Sequence, residues 1–162
     1  MSHITQIIVV VKTGNASGAD ADGPVYLGVG SREFRLSKQG NSFERDKTDT
    51  FILGSTGPGG PANVRNSNDN DPLQPIRIEL ADILGVPFPG PTPTIPTEPP
   101  YNVYIRYESD NKWLIETVSV RLIGDPSISS PSFDVTFGVK FGINSPGVWL
   151  GIDSGKLLYL QP

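Results

Sequence analysis

The sequence predicts an all-β fold, an antiparallel sandwich. Three observations carry this. Apolar and polar residues alternate with period two in many short segments, the pattern of strands with one buried face. Turn formers separate those segments at short intervals. Helical spacing never persists for three turns, and Gly 18 with Pro 16 among 162 residues punctuates the chain too often for long helices.

The strands follow in order. Ile4–Val11 holds the unbroken apolar run Ile7–Val11, and Thr13-Gly14-Asn15 ends it. Val25–Val29 and Glu33–Leu36 come next, the first entered through the turn Asp22-Gly23-Pro24. Thr50–Leu53 is a fourth, and Ile76, Ile78 and Leu80 alternate with Arg77 and Glu79 in a fifth. Val103, Ile105 and Tyr107 share one face, with Tyr104 and Arg106 on the other. Beyond the turn Ser109-Asp110-Asn111, Val118, Val120 and Leu122 alternate with Thr117, Ser119 and Arg121. The clearest strand sets Phe133, Val135, Phe137, Val139 and Phe141 against Asp134, Thr136, Gly138 and Lys140. Gly147–Ile152 and Lys156–Leu160 complete the set, joined by Asp153-Ser154-Gly155. Strands that bury one face favour a sandwich over a closed barrel.

The length fits one domain, residues 1–162, with irregular insertions at about 54–72 and 85–100. The first holds Gly57-Pro58-Gly59-Gly60-Pro61 and an Asn/Asp run. The second, Gly85–Pro100, is proline-rich; proline donates no N–H and fixes φ, so an extended loop is expected there. Ala81–Leu84 has the composition of a single helical turn.

Composition excludes several function classes. A net charge of −4 is wrong for neutralising phosphates, so no nucleic-acid partner is expected. No apolar run reaches the ~20 residues of a membrane helix, and no basic stretch precedes the run at Ile7–Val11 as in a signal peptide, which makes the cytoplasm the expected location. Cysteine is absent, removing disulfides and thiolate chemistry. His3 is the single histidine and sits at the terminus, so neither a histidine metal cluster nor a Ser-His-Asp triad is expected. The glycine run lacks the Lys-Ser/Thr ending of a phosphate loop, and no spacing singles out a catalytic carboxylate pair. No enzyme is expected.

What remains is oxygen chemistry in turns. Asp20, Asp22, Asn41, Ser42 and Glu44 occupy two loops beside strands, and Asp110 with Asn111 precedes Trp113. Calcium takes six to eight oxygens from such groups. The same residues are also the default formers of ordinary turns.

Several segments together resemble the PLAT domain, the β-sandwich of polycystins, lipoxygenases and the lipase/alpha-toxin group. They are Thr13-Gly14, then Asp20-Ala21-Asp22-Gly23-Pro24-Val25-Tyr26-Leu27, then Phe43-Glu44-Arg45 followed by Asp49 and Phe51. Tyr104–Tyr107, Trp113-Leu114 and Val148-Trp149-Leu150 are similar to the family's later strands. The resemblance implies a sandwich, a Ca2+ site held by Asp20 or Asp22 with Asn41, Glu44 and Asp110, and a lipid headgroup or protein partner met at the end loops. Backbone carbonyls of Gly18 and Ala19 are further candidates. The chain departs from the pattern in four places. Two aspartates stand where the family has one, and the spacing to Leu27 favours Asp22. Ser42 replaces a frequent acid, and Asp46 replaces a glycine. Asn15-Ala16-Ser17 fills the tip where membrane-binding members carry tryptophan.

Trp113 and Trp149 both read as core. Asp49 is expected to fix a turn or pair with a base. A lipid reading needs exposed apolar tips, for which Val86, Phe88 and Ile95 are the candidates in the sequence. A carbohydrate-binding sandwich instead predicts an exposed aromatic pair among Trp149, Tyr104 and Tyr159. Self-assembly as a homo-oligomer predicts a bare strand edge with the arm Val86–Pro100.

Overall fold

Alternating apolar side chains need a second layer to pack against, and two sheets supply it for each other. The computed structural model describes residues 4–30, 32–54, 57–64, 102–124, 133–139, 141 and 147–162. These form nine strands and no helix: β1 (Gln6–Thr13), β2 (Val25–Val29), β3 (Arg32–Arg35), β4 (Thr48–Leu53), β5 (Val103–Tyr107), β6 (Trp113–Gly124), β7 (Phe133–Gly138), β8 (Val148–Leu150) and β9 (Leu157–Tyr159). One sheet has the order β4-β1-β6-β7, with β8 also beside β6; the other is β3-β2-β5-β9. All pairings between these strands are antiparallel. The strand expected over Ile76–Leu80, the turn at Ala81–Leu84 and the arm Gly85–Pro100 lie outside the described residues.

Registers explain where the strands depart from their expected ends. β1 continues to Thr13 because it stays paired with β6, through a register shift between Lys12 and Thr13. β6 is twelve residues long because it serves three partners: Trp113–Ile115 pair with β8, Ile115–Ile123 with β1 and Ser119–Gly124 with β7. The unbroken apolar run in β1 also has a cause. Ile7, Val9 and Val11 face the core, while the outer face is covered near Gln6 and Ile8 by the Gly57–Gly60 turn. Gln6 is fully buried; its amide accepts from Gly59 N–H (2.9 Å) and donates to the Gly60 carbonyl (2.9 Å). Asn63 then closes the outer edge of β4, accepting from Ile52 N–H (2.8 Å) and donating to Thr50 O (2.9 Å). This part of the first insertion blunts a strand edge that would otherwise offer unpaired backbone groups.

The core runs between the sheets. Ile7, Val9, Phe51, Val120 and Phe137 from one side meet Leu27, Val103, Ile105 and Phe34 from the other, all at most 1% exposed. An aromatic cluster closes one end of it. Trp113 packs edge-on to Phe43 (5.1 Å between centroids) and tilted against Tyr107 (5.5 Å), and Phe43 stacks on Phe51 (5.2 Å). Each such pair adds roughly 0.5–1.5 kcal/mol beyond area burial. The Trp113 indole N–H donates to Thr13 Oγ1 (3.1 Å), so its polar atom is satisfied inside. Trp149 differs from the expectation. Its strand has β6 on one side only among the described residues, and the side chain is half-buried outside the core cluster.

Candidate functional site

Chain direction gathers four loops at one end. Trp113 pairs with Leu150, Tyr26 with Arg35, and Lys12 with Thr48. With the antiparallel registers, this brings the β1–β2, β3–β4, β5–β6 and β8–β9 connections to the same end of the sandwich. Between the first two of these loops lies an open depression of about 800 Å3, lined by residues from Asp20–Val25 and Arg35–Arg45.

Of the five predicted ligands, Asp20, Asp22, Asn41 and Glu44 line this depression. Asp110 does not; it lies in the neighbouring loop, where Lys156 Nζ approaches it at 3.2 Å. The two loops still touch, because Asn111 Nδ2 donates to Asp22 Oδ2 (3.1 Å). Each lining carboxylate already accepts a hydrogen bond. Asp20 Oδ1 accepts from the Arg45 N–H, tying the first loop to the second. Glu44 accepts from Asn41 Nδ2 (2.8 Å) and pairs with Lys47. The Ala19 carbonyl accepts from Leu114 N–H (3.2 Å). No group of three acidic side chains converges on a metal position among the described residues.

The donor chemistry suits a hard cation, since every candidate atom is oxygen. One of the depression's residues also has an unsatisfied oxygen. Ser42 Oγ is buried and lacks a hydrogen-bond partner among the described residues. The competing contacts are weak ones. The Glu44–Lys47 pair is exposed at 36% and 56%, and such surface pairs are worth about 0–1 kcal/mol. Releasing Glu44 to another cation therefore costs little.

The loops rest on a firmer base. Asp49 is buried; its Oδ2 accepts from Phe43 N–H (2.7 Å) and its Oδ1 pairs with Lys38 (2.9 Å). It does both things expected of it, fixing a turn and pairing with a base. Phe43 adopts φ 61° and Asp46 φ 57°. The left-handed conformation at Asp46 is the one a glycine would adopt most readily, and aspartate is among the residues that tolerate it.

Sequence reasoning missed Ile152. It stands in the β8–β9 turn at this same end and is 61% exposed, while Asp110 and Lys156 pair beside it. The sequence placed it in the strand Gly147–Ile152; that strand ends at Leu150, which leaves Ile152 in the turn with no inward face to occupy. Val86, Phe88 and Ile95, the tips named from the sequence, lie outside the described residues.

No family model matches this chain, and no curated protein matches it. Among solved structures it is similar to the alpha toxin from Clostridium absonum, with a TM-score of 0.52 and 18% identity. The likeness covers 99% of this chain and 32% of that one, so the chain spans about a third of that protein's length. The shared property is the fold, a two-sheet antiparallel sandwich.

Proposed function

We propose that the chain is a non-catalytic binding module of PLAT type, whose end loops meet a lipid surface with calcium as the ordering ion. The observation that carries the proposal is the convergence of four loops. It sets Asp20, Asp22, Asn41 and Glu44 around one depression and an exposed Ile152 at the same end. Asp22, Asp20, Asn41 and Glu44 would hold the ion, with Asp110 joining if released from Lys156. Bound there, calcium supplies positive charge against the loop carboxylates and open coordination for a phosphate oxygen. The chain's own contribution is the rigid base of the loops and an apolar tip. With a net charge of −4 the protein is repelled by an anionic bilayer, so binding is expected to depend on the ion.

Vesicle flotation tests this directly. Vesicles of phosphatidylcholine with phosphatidylserine should carry the protein in Ca2+ and release it in EGTA. Ile152→Ser and Asp22→Asn should each weaken the association. Flotation that ignores EGTA would remove calcium from the account. No flotation in either condition would remove the lipid surface and leave a protein partner at the same loops.

A further inference from the structure

The outer face of the β3-β2-β5-β9 sheet is built differently from the loop end. Its register aligns Glu33, Gly28, Tyr104 and Tyr159 in one row across four strands, and Arg35, Tyr26, Arg106 and Leu157 in the next. At Gly28 the outward side chain is missing. A Cβ there would collide with three ring carbons of Tyr104. The Tyr104 ring therefore lies down on the glycine backbone instead of standing off the sheet, and the residue is half-buried. Tyr159 stands beside it, 5.6 Å between centroids and tilted by 57°. Tyr159 is 52% exposed and Leu157 46%, while Leu158 between them turns inward and is partly buried against the core.

Polar groups beside these rings are fixed in place. Tyr104 O–H donates to Glu33 Oε1 (2.8 Å). Arg106 holds the same carboxylate with two bonds, Nε to Oε1 (2.8 Å) and Nη2 to Oε2 (3.0 Å). Its third bond runs from Nη1 to Glu108 (2.5 Å), and its guanidinium stacks 4.3 Å from the Tyr26 ring centre. Partial burial, helped by the Glu33 hydrogen bond, pushes the Tyr104 hydroxyl up to about 12, so it remains a protonated donor.

We propose that this face is a carbohydrate-binding platform on which the Tyr104–Tyr159 corner receives the apolar C–H face of a neutral pyranose, with Glu33 and Arg106 meeting its hydroxyls. Three features select that ligand. The surface is aromatic, two tilted rings forming a corner, which suits a ring's C–H face. Its charges cancel internally, Glu33 and Glu108 against Arg35 and Arg106, so it offers no net charge to an ionic partner. The carboxylate and guanidinium are joined by two hydrogen bonds and carried on strands, a fixed set of acceptors and donors for vicinal hydroxyls. A bilayer would instead favour a protruding tip, as Ile152 is at the loop end.

The test uses the full chain, fluorescently labelled, on a printed array of neutral and charged glycans, followed by calorimetric titration of the strongest neutral glycan. Wild type should bind a neutral pyranoside. Tyr159→Ser should weaken binding about tenfold or more, a loss near 1.4 kcal/mol. Tyr104→Leu, which still covers Gly28, should do the same, and both should keep the wild-type melting profile. Absence of neutral-glycan binding by wild type would overturn the proposal. So would wild-type affinity in both variants, or a wild-type dimer that both variants dissociate, which would make the face a self-association surface. Neither Tyr104 nor Tyr159 lines the loop-end depression, so neither result bears on the calcium reading.

Discussion

Asp49 shows how much one carboxylate can organise. It is 4% exposed, satisfies the N–H of a left-handed Phe43, and neutralises Lys38. Truncating it leaves an unpaired amide under the aromatic cluster and a lysine without its counter-charge. Asp49→Ala should therefore lower stability by about 2–4 kcal/mol, measured by urea denaturation. A loss under ~0.5 kcal/mol would mean that the loop does not depend on it. The Thr13-Gly14 pair has a similar structural explanation. Thr13 accepts the Trp113 indole, and Gly14 leaves room for the Leu114 side chain. At this scale the motif was legible as residues, while its reason was not. Trp113 lies 100 positions from Thr13, and no local pattern links them.

Among the elements, period-two alternation located the strands well because each has one core face. It was weaker where other rules governed. The length of β6 reflects pairing with three different strands, which periodicity does not encode. The role of Gln6 was hidden in the same way. A buried glutamine is paired only because a glycine-rich turn some fifty residues later folds back over it. Trp149 read as core because tryptophan usually buries, and a strand with a single described neighbour leaves it half-buried instead. Cross-strand charges are the other feature of this scale. Hydrogen bonds from Arg106 hold the Glu33 carboxyl below its ordinary value of 4.5. A carboxyl lowered by folding stabilises the fold fully above its ordinary value, and the benefit is lost as pH falls through the lower folded value. The difference in melting temperature between wild type and Glu33→Gln should thus be largest near neutral pH. It should close as pH falls below that ordinary value. A gap as large in acid as at neutral pH would contradict the pairing.

The whole molecule is organised by its two distinct surfaces. Antiparallel registers gather four loops at one end, and that end carries the candidate oxygen ligands and Ile152. The outer face of the second sheet carries the aromatic corner. Neither juxtaposition could be read in full from the chain. Four of five predicted ligands do line one depression, since they flank strands whose order was legible. Asp110 does not; it lies in the β5–β6 loop and pairs with Lys156. The central claim is that the loop end holds calcium, and melting the metal-stripped protein during a Ca2+ titration, with Mg2+ as control, tests it most directly. A specific site raises stability by RT ln(1 + [L]/Kd), about 2.7 kcal/mol at a hundredfold excess over Kd. The account predicts a rise with Ca2+ alone that Asp22→Ala and Glu44→Ala abolish. A melting temperature that stays flat into the millimolar range would contradict it and reduce these loops to ordinary turns.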